Sequence, residues 1–200
     1  QTLEFPEMLT PRKLLNHLAR LRGAALDPDT LLRVEAFLDQ PFHRLSGGQQ
    51  RMVGIVQAFL GAPRFLLLDE FVRGLDMTER ESAFRLIGQR EALLIFSTHI
   101  PAEIESLGAR QVIVLDRGRI LFYGTVEALR AAAAGFVYEI RVSKEQAAAI
   151  SASRLVSRIT PNGSHVRMRV IAEPDDADAV AIAPTLEDAY LWLTRRSVRP

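Results

Sequence analysis

Two short and almost uninterrupted apolar runs, "FLLLDE" (Phe65–Glu70) and "ALLIFST" (Ala92–Thr98), constrain this chain more than any other feature. Each is too short for an ordinary helix and lacks the alternation of a half-exposed strand. Each is therefore predicted as a strand buried on both faces. Met77–Arg90, between them, carries helical spacing. A strand, a helix and a strand in that order make a parallel pair joined by a crossover. A third run, "QVIVLD" (Gln111–Asp116), continues the pattern, and Arg117-Gly118 turns into "RILFYG", its expected hairpin partner. The predicted class is α/β with a parallel sheet.

The flanks differ from this centre. Thr10-Pro11 reads as N-cap and first helical residue, with Leu14, Leu15, Leu18 and Leu21 at helical spacing and Gly23 as a stop. Asp27-Pro28 opens a second helix that turns Leu31, Leu32, Val34, Phe37 and Leu38 inward. A third helix runs from Ser46 to near Gly61, so 11–61 reads as all-helical. After Gly135, "FVYEIRV", "RLVSRIT" and "HVRMRVI" alternate as half-exposed strands do, with a turn at Pro161-Asn162-Gly163 and a helix over Lys144–Ser151. A last helix, Thr185–Arg196, puts Leu186, Ala189, Tyr190 and Leu193 on one face. Arg141, Arg158, Arg167 and Arg169 read as a solvated sheet face. The chain thus divides into a helical part (1–62), an α/β core (63–135) and a small α+β appendage (136–200).

With 25 basic and 24 acidic residues, the charge makes no case for nucleic acid or an anionic membrane. The absence of cysteine excludes disulfides and thiolate metal sites and fits a reducing compartment. No apolar run approaches the roughly 18 residues of a membrane span.

Three stretches carry chemistry. In "LSGGQQR" (Leu45–Arg51), Ser46 and Gln49 have capping-box spacing, and Gly47 and Gly48 allow close approach at a helix N-terminus, where free N–H groups favour an anion. By itself this is also an ordinary capped helix. Asp69 and Glu70 end the first apolar run, at the edge where open α/β sheets bind ligands. An Asp there suits Mg²⁺, and its neighbour suits polarising water; acids also simply mark where a strand leaves the core. His99 ends the second run. If the strands are parallel, Asp69, Glu70 and His99 share one sheet edge. Asp76 and Glu79 have capping-box spacing at the helix between.

The order and spacing say more than the pieces. Ser46 precedes Asp69 by 23 residues and Asp76 precedes His99 by 23. From Gln1 to about Ala134 the chain resembles the second half of an ABC-type ATPase, a P-loop NTPase-type sheet with an inserted helical subdomain. Leu45–Gln49 resembles the signature motif, Phe65–Glu70 the Walker B strand, Gly74–Asp76 the D-loop, His99 the switch histidine, and Gln1 with the residues after it the Q-loop. The resemblance implies ATP and Mg²⁺ as cofactors. Asp69 and Gln1 would bind the metal, Glu70 would be the general base or orient the water, and His99 and Gln1 would sense the γ-phosphate. Ser46, Gly47, Gly48 and Gln49 would meet the γ-phosphate held by a second nucleotide-binding domain, and Asp76 would link the two sites. Phe71 stands where the family has Pro, and Gln57 where it often has Arg.

No Gly-x-x-x-x-Gly-Lys-Ser/Thr loop occurs in the chain. The expectation is a piece of a longer protein that does not bind ATP well by itself. Ser97–Arg130 and the tail "PTLEDAYLWLTRR" (Pro184–Arg196) resemble exporters whose ATPase is a separate subunit on the cytoplasmic face, serving a membrane permease. Phe5, Met8 and Leu9 are candidate permease contacts, or pack on the first helix. Two other readings fit the motifs: a truncated, non-catalytic ABC module, and a soluble ABC ATPase acting on nucleic acid or ribosomes.

Overall fold

The computed structural model describes residues 8–89, 91–173 and 180–198. Two compact units result, Gln1–Leu107 and Gly108–Pro200. This division falls before the hairpin rather than after Gly135, because helix α6 (Val126–Ala131) packs on α8 (Leu186–Val198) inside the second unit.

The first unit starts with α1 (Pro11–Leu21), capped by Thr10, whose hydroxyl accepts the Lys13 N–H at 3.4 Å. The second predicted helix is only one turn, α2 (Pro28–Leu31), followed by 3₁₀ turns at Glu35–Phe37 and Phe42–Arg44. The sequence pattern explains the break. On a continuous helix Leu32 would lie roughly opposite the stripe made by Leu31, Val34 and Leu38. Val34 and Leu38 are indeed buried, whereas Leu32 is 62% exposed. Helix α3 (Gly47–Ala58) then crosses the unit and buries Met52, Val53, Ile55 and Val56. Strand β1 (Phe65–Asp69), helix α4 (Met77–Gly88), strand β2 (Leu93–Ser97) and the short helix α5 (Pro101–Ser106) complete it.

β1 and β2 pair in parallel, in register from Phe65↔Leu93 to Asp69↔Ser97. Leu66 and Leu68 join one core with the α3 side chains and with Ala83, Leu86 and Ile87 of α4. The expectation that both faces are buried does not hold. Phe65, Leu67, Leu93 and Ile95 are 57–80% exposed, because side chains alternate across a strand and the helices cover one face. Phe71, in the position where proline was expected, is buried and makes edge contacts at 6.2 Å with both Phe84 and Phe96. It anchors the loop that follows β1.

In the second unit β3 (Gln111–Asp116) and β4 (Arg119–Thr125) form the expected antiparallel hairpin, a sheet of their own rather than a third parallel strand. Strands β5 (Val137–Ser143), β6 (Leu155–Asn162), β7 (His165–Ile171) and β8 (Val180–Ala181) make an antiparallel sheet in the order β6-β7-β5-β8. Helix α7 (Lys144–Ser153) packs on β5 and β7. Pro161 belongs to β6 instead of the turn, which a proline tolerates because β6 is an edge strand; the turn is made by Gly163 at φ +63°. The buried face of α8 carries Leu186, Ala189 and Trp192, not Tyr190, which is 42% exposed. Trp192 stacks on Phe136 at 4.2 Å. Arg169 does not join a solvated face. It pairs at 2.7 Å with Asp188, which is fully buried.

Candidate active site

The parallel register decides the site. Because Asp69 stands opposite Ser97, the residues that follow each strand leave the sheet side by side. Asp69, Glu70 and His99 therefore meet at one carboxyl edge, as expected of a parallel pair. His99 Nδ1 lies 3.1 Å from Glu70 Oε1. The Ser97 hydroxyl accepts the Glu70 N–H at 3.0 Å and donates to Asp69 Oδ1.

Glu70 has φ +40°, a left-handed conformation that non-glycine residues seldom hold. Its second carboxylate oxygen accepts from Arg73 Nη1 at 3.0 Å. Arg73, and next His99, hold this carboxyl below the usual carboxylate range, so Glu70 is ionised at neutral pH. With Glu70 charged, the His99 ring donates from Nδ1, which leaves Nε2 an acceptor in the neutral ring and a donor only in the imidazolium. The site is open to solvent: the Glu70 and His99 side chains are 36% and 66% exposed. An ion pair in such a place contributes little stability and chiefly orients the carboxylate.

The loop carrying His99 is braced from beneath. The Ile100 N–H donates to Thr98 Oγ1 at 2.9 Å, and that hydroxyl donates to Glu103 Oε2 at 2.5 Å. Glu103 is buried in the first turn of α5, with the Arg80 guanidinium 3.8 Å away.

Both predicted capping boxes are present. Ser46 accepts from Gln49 N and Gln49 returns the bond to Ser46 N, both at 3.0 Å. Asp76 accepts from Glu79 N at 2.8 Å and Glu79 returns it at 3.0 Å. The two caps touch: a Cβ added to Gly48 would collide with the Glu79 carboxylate. Ser46 and Gly47 are exposed, whereas Gly48 is buried by this contact.

The donor set fits Mg²⁺ in part. Magnesium is usually held by one or two carboxylates, with water and substrate phosphates completing the shell. Asp69 supplies hard oxygens of that kind, but no group of three His, Cys, Asp or Glu able to hold a metal occurs among the described residues. Gln1 and Phe5 lie outside the described residues. Of the candidate permease contacts, Met8 is 76% exposed, and Leu9 packs on the core, its carbonyl accepting the Phe42 N–H at 2.9 Å.

Sequence reading missed Ser97, Arg51 and Arg73. Ser97 ends β2 as Asp69 ends β1, a symmetry readable once both strands are aligned. Arg51 follows Gly48 by three residues on one helix, and Arg73 follows Glu70 by three around a loop. Only the helical relation has a regular spacing rule behind it.

An acidic strand end, a histidine beside it and a capped glycine turn are carried here by an α/β unit of P-loop NTPase type. These residues are part of an ABC transporter ATP-binding domain, and the model of the ABC transporter family matches residues 17–73. The molybdenum import ATP-binding protein ModC 1 of Azotobacter vinelandii is 31% identical over 136 residues, 64% of this chain and 37% of that protein. The cobalt import ATP-binding protein CbiO of Rhodobacter capsulatus is 40% identical over 114 residues, 56% of this chain and 40% of that protein. The solved ATP-binding subunit of an ABC transporter superposes with a TM-score of 0.59 at 27% identity, over 66% of this chain and 59% of that one. The chain spans about two-fifths of the length of these curated relatives.

Proposed function

We propose that this chain is the second half of the ATP-hydrolysing subunit of an ABC transporter, coupling ATP-driven dimerisation to a membrane permease from the cytoplasmic face. The observation that carries the reading is the Glu70–His99 contact beside Asp69, at the edge of a parallel pair.

In this reading Glu70, ionised and fixed in orientation, takes up a proton from the attacking water or orients it, and His99, in its imidazolium form, donates from Nε2 to a terminal phosphate oxygen. Asp69 would hold Mg²⁺, whose charge would offset that of the phosphates. Gln1 would add a further contact to metal and phosphate, as the resemblance implies. Ser46, Gly47, Gly48 and Gln49, at the N-terminus of α3, receive the γ-phosphate bound by a second nucleotide-binding domain, and Asp76 joins the two sites. Export is the proposed direction on the resemblance of the tail alone. ModC 1 and CbiO carry import names, so a transport assay in vesicles must decide it.

The isolated chain is expected to bind ATP weakly, and tight Mg-ATP binding by these residues would contradict the proposed division of the site. Among the described residues no helix is long and apolar enough to cross a membrane. The membrane-spanning partner is therefore proposed as a separate chain or segment.

The test is Glu70→Gln in the intact subunit. Phosphate release should fall by about 10²–10⁴-fold while an ATP-loaded dimer accumulates. Unchanged turnover would remove Glu70 from its proposed role.

A further inference from the structure

The left-handed backbone of Glu70 is held at both ends. Ser97 accepts its N–H at 3.0 Å, and Arg51 Nη1 donates to its carbonyl at 3.2 Å. Such a conformation is strained for a residue with a Cβ and persists only where its surroundings impose it. The Arg73 N–H shares the same carbonyl at 3.1 Å, closing the local turn. Arg51, by contrast, reaches it from another element.

That element is α3, whose first turn carries Gly47 and Gly48. Arg51 stands three residues beyond Gly48, so both lie on one face of the helix. Gly48 is pressed against the Glu79 carboxylate, which caps α4 through the Asp76 N–H at 3.0 Å. One face of the first turns of α3 thus meets both ends of the segment from Glu70 to Glu79. The carbonyl and the carboxylate of Glu70 share a Cα, so a shift at the carbonyl re-aims the side chain. Misplacing a reacting group by about 1 Å costs up to roughly a hundredfold in rate.

We propose that Arg51 is a positioning residue: its hydrogen bond to the Glu70 carbonyl ties the first turns of α3 to the segment that aims the Glu70 carboxylate. The inference rests on the proposed role of Glu70. It assigns a role to a side chain that acts through the Glu70 backbone.

The experiment uses the intact subunit with Arg51→Met, which keeps the apolar stem and loses the donor, and Arg51→Lys, which keeps a donor. Steady-state phosphate release gives kcat and KM, and denaturant unfolding gives stability. Arg51→Met should lower kcat about tenfold or more with KM within about twofold, as expected for loss of a charge-assisted bond made to a catalytic group. Arg51→Lys should recover part of that loss. Wild-type kcat in Arg51→Met overturns the inference. So does a kcat loss that Arg51→Lys does not relieve and that tracks a lowered unfolding midpoint. Wild-type turnover in Glu70→Gln would instead overturn the role of Glu70, and the inference with it.

Discussion

Asp69 and Ser97 are the last paired residues of the parallel strands, and the Ser97 hydroxyl donates to Asp69 Oδ1 while accepting the N–H of Glu70. One hydroxyl therefore holds both candidate acidic residues. Ser97→Ala should lower kcat of the intact subunit roughly tenfold, the scale of one lost hydrogen bond to a charged group. Ser97→Thr, which keeps the hydroxyl, should retain most activity. Equal activity of Ser97→Ala and wild type in a phosphate-release assay would show that the hydroxyl orients neither group.

The Glu79 carboxylate fills the space that a Cβ on Gly48 would need. A Cβ at Gly48 would force the Glu79 carboxylate away from the Asp76 N–H. Gly48→Ala should destabilise by about 0.5–2 kcal/mol, the usual cost of a lost cap. Because Glu79→Ala removes the same cap, the double variant should cost clearly less than the sum of the two single variants. Denaturant unfolding of all three variants measures this.

Asp188 is buried with four bonds from Ser157, Arg169 and Thr185. Burial opposes its charge, but Arg169, Ser157 and Thr185 together outweigh burial and hold the carboxyl below the usual aspartate range. A folded value lower than the unfolded one gives stability that is complete above the unfolded value and lost as pH falls through the folded value. Asp188→Asn should therefore destabilise by about 2–4 kcal/mol near neutrality, mostly through the abandoned Arg169 charge. The gap between variant and wild type should close as the pH is lowered toward strong acid. A gap independent of pH in urea unfolding would rule out an ionised Asp188.

Phe65, Leu67, Leu93 and Ile95 form an exposed apolar face on the parallel pair. Faces of this kind promote association. In the isolated chain, Leu67→Lys with Ile95→Thr should reduce self-association in sedimentation. Unfolding stability should change by less than about 1 kcal/mol, since no buried packing is lost. A large destabilisation would mean that this face is covered in solution.

Local chemistry was readable in the chain itself. Both capping boxes, the hairpin turn at Arg117-Gly118 and the acidic strand end follow from spacing and residue type, because caps and turns are made by near neighbours. The helix expected after Asp27-Pro28 failed where five apolar positions spanned too wide an arc for one helical face. Burial of both faces of β1 and β2 also failed, since a run of apolar residues records what a strand can bury and not what lies against it. Tertiary structure decided everything that joins distant residues: Ser97 to Asp69 through strand register, Arg51 to the carbonyl of Glu70, the Glu79 carboxylate to Gly48, and Arg169 to Asp188. These contacts span gaps in sequence that no periodicity encodes. The sequence alone determined which groups are present and how each local turn is capped. The packing of α3, α4 and the parallel pair determined which of those groups touch, because only the fold brings their short-range forces within reach.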